Sequence, residues 1–219
     1  MSDSQLVGLA KDFFQNSLDS SPTSAIMRGH KKYFDQIEEL TEEQFQKEKD
    51  IVDTFIQRLN AIEKDNLTSR EKVTHGMLEF ALSSNKDSLL DRSWEFGAGV
   101  AGFTGFLIDY NQQIFVPDSE SADMMLKRLE LYKRLYTQIA DVQKLGLNNN
   151  RVATERNLLR TIDQLENYLT SSLDQDPLLL VNFSPEISDS EISEWKDKAK
   201  KIIEVNIRPT VSALSLIHI

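Results

Sequence analysis

The chain has 219 residues, 40% of them hydrophobic and 27% charged, with 35 acidic residues against 25 basic ones and no cysteine. A formal net charge of −10 excludes the electrostatic footprint of a nucleic-acid binder and disfavours anionic membrane surfaces. The absence of Cys excludes disulfides, thiolate zinc sites and thiol catalysis. The opening "MSDSQLVGLAKDFF" has no basic region followed by a long apolar core, so no secretory signal is read there and a cytoplasmic location is expected.

Gly and Pro are scarce, at 8 and 5, which points to long regular elements and hence to an all-α fold. A first helix is predicted over about residues 3 to 19. A second, about 42 to 63, carries the stripe Phe45, Val52, Phe55, Ile56, Leu59 and Ile62. A third, about 69 to 90, follows. Capping-box patterns open the last two, Thr41 to Gln44 and Thr68 to Glu71, and a further one stands at Ser188 to Glu191. On the third helix Val73, Met77 and Phe80 read as the apolar stripe. Glu71, His75 and Glu79, spaced i, i+4 and i+8, read as a solvated polar face. The same trio is also a candidate metal-ligand set, although helix-bundle metal sites draw ligands from several facing helices.

Residues 93 to 117, "SWEFGAGVAGFTGFLIDYNQQIFVP", break the helical pattern and are expected to form an irregular or partly extended connector. Gly97, Gly99 and Gly102 fit the dinucleotide fingerprint. The preceding segment is helical rather than a strand, so glycines permitting close backbone approach are the better reading. The apolar run is too short to span a bilayer.

A helix over about 120 to 146 carries Met125, Leu129, Tyr132, Leu135, Tyr136, Ile139 and Val142, and Gly146 reads as its stop. A helix over about 151 to 173 has Arg151 at its start and Leu158, Leu159, Ile162, Leu165, Leu169 and Leu173 as its stripe. A cation opposes the helix dipole there, so Arg151 is either a paired surface residue or a cation facing a substrate. After a loop bracketed by Pro177 and Pro185 comes a helix over about 189 to 207, with Ile192, Trp195, Ala199, Ile202 and Ile203. Pro209 opens a last helix. Trp94 and Trp195 read as packing anchors. His30, His75 and His218 are the chain's three imidazoles. No H-E-x-x-H, G-x-S-x-G or P-loop is present, so no catalytic or metal residue is assigned.

Several stretches in order carry a family resemblance. "FFQNSLDSSPTSAIMRGHKKYFDQIEELTEE" presents Pro22 and Ala25, then Gly29, His30, Tyr33 and Asp35, then Leu40 and Thr41. "LTSREKVTHGMLEFAL" and "GLNNNRVATERNLLRTIDQLENYL" follow, the latter with Gly146, Arg151, Glu155, Gln164 and Leu165 in register. Together with "DPLLLVNFSPEISDSEISEWKDKAKKIIEVNIRPTVSAL" they resemble the bacterial helical family termed domain of unknown function eight-eight-five, which is treated as zinc-metallopeptidase-like. The family's prolines before the Arg are asparagines here. The resemblance implies a single helical amino-terminal portion, residues 1–213, that walls or lids a substrate cleft. Peptide would be the substrate and zinc would be held in a missing carboxyl-terminal half, with no cofactor in this chain and with Arg151, His30 and Tyr33 as candidate substrate-binding residues. "SLIHI" resembles the translated adapter tail of truncated sequence reads, so 214–219 are expected to be non-native. The alternatives are a self-contained helical interaction or scaffolding module, and a small metal enzyme built on Glu71, His75 and Glu79.

Overall fold

The computed structural model describes residues 5–96 and 110–217. The fold is all-α: among the described residues the one piece of β structure is a two-residue parallel pair. The chain groups into two compact units, Met1–Ser20 with Thr41–Trp94, and Ser21–Leu40 with Glu95–Ile219. The fingerprint glycines Gly97, Gly99 and Gly102, and His218, lie outside the described residues.

The first unit consists of α1 (Gln5–Ser20), α3 (Glu42–Asn60) and α4 (Ser69–Leu90). Their common core is Leu6, Leu9, Val52, Phe55, Leu59, Leu78 and Leu82, with Phe13 set edge-on to Phe55 at 5.8 Å. Thr68 and Glu71 close a full capping box on α4. At α3 half of the expected box forms. Thr41 accepts from the Gln44 amide at 3.1 Å, while the Gln44 side chain donates forward to Glu48 at 3.4 Å.

α4 reverses the predicted faces. His75, Leu78 and Leu82 are buried, and Val73, Met77 and Phe80 are exposed. The reason is that α4 carries apolar side chains on two opposite faces. The face with Leu78 and Leu82 continues through Leu67 and Leu89 and so offers the longer aliphatic surface to α1 and α3. His75 lies one turn before Leu78 and is carried inside with it.

In the second unit, α2 (Pro22–Met27) and a short 3-10 turn, Lys31–Tyr33, precede the long α5 (Ser119–Asn148). Asp118 caps α5 by accepting from the Ser121 amide at 2.9 Å. Every residue predicted for the α5 stripe is buried. α6 (Glu155–Thr170), α7 (Asp189–Ile202) and α8 (Arg208–Ile217) complete the unit. The stripe of α6 is narrower than predicted: Leu165 is buried with Thr161 and Tyr168, but Leu159 is exposed. Trp195 anchors α7, its indole donating to the Ala122 carbonyl at 2.8 Å with Phe183 edge-on to the ring. The strands β1 (Phe115–Val116) and β2 (Asn182–Phe183) pair in parallel, Phe115 opposite Asn182. β1 thus gives the predicted connector its extended part.

Pro209 does not open a separate helix. A π turn, Ile203–Ile207, joins α7 to α8 in one continuous rod. Pro lacks an amide and its ring crowds the carbonyl four residues back; a wider turn just before it accommodates both. Ile203, Ile207, Val211 and Leu214 are all buried along this rod.

Candidate functional site

Among the described residues the second unit contains three arginine–carboxylate pairs whose carboxylate is buried, and the pairs differ in how much of the arginine remains available. Arg128 is fully buried. It donates to the Gln36 carbonyl and the Thr23 hydroxyl, and its Nη2 lies 3.9 Å from Oε2 of buried Glu38. Glu38 in turn accepts from the Thr23 amide at 2.8 Å and the Thr23 hydroxyl at 2.7 Å. This cluster ties α2 and the following loop to α5. Arg208 is also consumed. It reaches Asp176 through Nε and Nη2, and it donates to the Ser171 carbonyl at 2.9 Å and to the Ser171 hydroxyl at 3.2 Å. Tyr168 lies against this second pair, its ring 5.4 Å from the guanidinium. Burial first, and then the Asp176 charge, push its phenol well above the usual range.

The third pair is different. Arg151 stands in the turn between α5 and α6, four residues before the first helical position of α6, and not at a helix start as its sequence context suggests. The helix stop is also displaced from Gly146. α5 runs to Asn148, and Asn150 takes the left-handed conformation with φ 55°. The Arg151 amide then returns to the Gly146 carbonyl at 2.8 Å and the Asn150 amide to the Leu147 carbonyl at 3.1 Å. Asparagine tolerates this conformation better than other non-glycine residues, which is how three consecutive asparagines terminate the helix.

Gly146 serves a different purpose from the one predicted. A Cβ there would lie 2.7 Å from the Arg151 carbonyl oxygen and 2.8 Å from that of Glu95. Its bare Cα lets the backbone of Glu95 press against the end of α5. The Glu95 side chain is wholly buried; it accepts from Asn149 Nδ2 at 3.0 Å, and its Oε2 is 2.8 Å from Arg151 Nε. That Nε–H does not point along the line between the two atoms, so the contact is an ion pair and not an aligned hydrogen bond. The Phe96 ring lies 4.8 Å from the guanidinium carbon on a further side. Arg151 is thereby fixed in orientation. Its side chain remains 33% exposed and its two terminal nitrogens have no partner among the described residues.

The other candidate residues are placed elsewhere. Tyr33 is buried in the second unit's core, and half-buried His30 packs on its edge with ring centroids 6.4 Å apart. The contacts of Arg151 are with Glu95 and Phe96, and neither His30 nor Tyr33 is among them. In the first unit, Glu71 is engaged with Thr68 and Glu79 with Lys64, while His75 Nδ1 is 4.0 Å from Glu79. The predicted polar face is therefore not a ligand set. No cluster of three His, Cys, Asp or Glu that would hold a metal occurs among the described residues. A shallow pocket in this unit is bordered by Phe45 stacked on Trp94 at 4.2 Å and by Lys49, with Arg92 and Glu42 on its rim paired with each other at 3.0 Å.

Two partners escape a reading of the sequence alone. Glu95 has a signal, since it is an acid set in the apolar run "SWEFG". Arg128 has one too, lying three residues after Met125 and four before Tyr132, on the buried face of α5.

A family model described as "Bacterial protein of unknown function (DUF885)" matches residues 22–216. The chain belongs to this family. Searches of curated proteins and of solved structures returned no match. The DUF885 match spans the whole of the Arg151 turn with Glu95 and Gly146, as well as the Arg128 and Arg208 pairs. None of the described helices of this DUF885 chain is long and apolar enough to cross a membrane.

Proposed function

We propose that this chain is the amino-terminal helical part of a zinc-dependent peptidase or related hydrolase, forming a wall or lid of its substrate cleft. The observation that carries the reading is Arg151. Among the three pairs it alone combines a buried orienting carboxylate with terminal N–H donors open to solvent. Because Glu95 offsets its charge, the pair offers directed donors without excess positive charge. That suits a neutral acceptor such as a peptide carbonyl better than an isolated anion. In this reading zinc is held by another part of a longer parent. The alternative, an interaction module without catalysis, draws support from the exposed face of α4 in the first unit.

The test is peptide binding by the purified chain, followed by nuclear magnetic resonance. Short peptides are expected to shift the Arg151 Nε resonance. Arg151→Gln is expected to weaken binding about tenfold, and Arg151→Lys nearly as much because the forked geometry is lost. Melting temperatures should hardly move for either variant. Peptide binding that is unchanged in Arg151→Gln, or absent at millimolar peptide, refutes the assignment.

A further inference from the structure

α4 leaves a row of side chains facing solvent. Val73, Met77 and Phe80 are 64%, 69% and 76% exposed, far more than the ordinary scatter of single surface apolar residues. The row extends at both ends through residues that are also exposed, to Arg70 before it and to Ser84 and Asp87 after it. The steps from Arg70 through Val73, Met77, Phe80 and Ser84 to Asp87 are three, four, three, four and three residues. Those spacings keep all six side chains on one face, the face that a second helix would cover.

We propose that this face docks a second copy of the chain, α4 against α4, antiparallel and about a two-fold axis. The sequence of the row is complementary to itself in that direction only. With the axis crossing between Leu78 and Glu79, Met77 of one copy meets Phe80 of the other, Val73 meets Ser84, and Arg70 meets Asp87. The central contact is a thioether on an aromatic ring, repeated twice by symmetry. The outer contacts are opposite charges. A parallel pairing would place Arg70 on Arg70 and Asp87 on Asp87, so like charges oppose it.

Two further observations agree. Arg70 and Asp87 have no ion-pair partner among the described residues, whereas Glu79 and Lys86 on the same helix are paired with Lys64 and Asp53. Gly76 adjoins the row in mid-helix, and a Cβ on it would meet nothing within 4 Å among the described residues. Glycine weakens a helix interior relative to alanine, and no described neighbour within the chain calls for it. Its bare Cα would let a helix docked on the row approach closely.

One helix from each copy buries less surface than the 1,200–2,000 Å² of a standard stable interface, so a weak dimer is expected, with a dissociation constant on the order of tens of micromolar. The experiment is analytical ultracentrifugation of the full chain from about 1 to 300 micromolar, bracketing that range. Phe80→Lys should abolish the dimer with no loss of helicity, since the side chain lies outside the unit's own core. Arg70→Asp and Asp87→Arg should each weaken it about three- to tenfold, and the double variant should return to within about twofold of the wild type. A chain that stays monomeric throughout overturns the proposal, as does a dimer indifferent to Phe80→Lys. A double variant no tighter than its parents refutes the antiparallel register. A face that instead captures an unrelated peptide while the chain remains monomeric also refutes self-docking.

Discussion

Replacing Arg128 by Met tests whether the second unit depends on its buried ion cluster. Methionine keeps most of the aliphatic length, so the change removes charge and hydrogen bonds with little loss of volume. Glu38, 6% exposed, then loses its cation but keeps both hydrogen bonds from Thr23. Removing one partner of a buried pair costs about 3–5 kcal/mol. The 3.9 Å separation and the surviving Thr23 bonds put this case near the lower end, at about 3 kcal/mol. For a unit of this size about 2–4 °C of melting temperature is lost per kcal/mol, so a drop of about 6–12 °C is expected. Thermal and urea unfolding followed by circular dichroism measure it. Adding Glu38→Gln, which removes the stranded charge and retains an acceptor for the Thr23 amide, should recover at least half of the loss. A loss under about 1 kcal/mol, or no recovery in the double variant, would show that the cluster is hydrated or dispensable and that the reasoning is wrong.

Gly146→Ala is expected to cost about 1–3 kcal/mol, because the new Cβ meets backbone on both sides and no side chain can rotate away; a melting curve matching the wild type refutes the close-packed turn. The Asp118 carboxyl is held down to about 2, chiefly by its hydrogen bond from Lys31 and then by those from Ser121. A carboxyl lowered in the folded state adds stability that is present above its ordinary value of 3.8 and is lost as the pH falls toward 2. A carbon-detected titration should show this, and Lys31→Met should bring the midpoint back up; an unmoved midpoint would sever the link. His75 Nε2 is buried without a partner among the described residues, so His75→Leu should leave the first unit as stable or gain up to about 1 kcal/mol by denaturant titration, and a clear loss would reveal a partner for that nitrogen.

Helix positions are legible in the sequence because periodicity and capping chemistry are local. The α5 stripe and the caps at Thr68 and Ser188 follow from spacing alone. The orientation of α4 is not legible. Its two faces are similarly apolar over a few turns, and the choice depends on what α1 and α3 present to it, which is non-local. The Arg151 turn misleads for a related reason. Both Gly146 and Asn150 are plausible helix stops, and what decides between them is the Glu95 backbone, some fifty positions earlier, pressing on Gly146. Glu95 and Arg151 become a candidate site only once the fold brings them together. DUF885 membership, in contrast, is carried by ordered motifs along most of the chain and needs no tertiary information.

The π turn before Pro209 corrects a phase error. In an uninterrupted α-helix, twelve residues from Ala199 to Val211 accumulate a net rotation of about 120°, at about 100° per residue. Both side chains are nonetheless fully buried along one rod. Absorbing one residue in the wider turn subtracts about 100° and brings the two within about 20° of each other. The turn therefore keeps two hydrophobic patterns in step across a proline that would otherwise rotate one of them into water. Deleting one residue from Ile203–Ile207 would restore a regular helix and leave Val211 and Leu214 facing as they do now, whereas deleting Ser212 or Ala213 would turn Leu214 off the core. In that sense the rod tolerates a change in length at one place only.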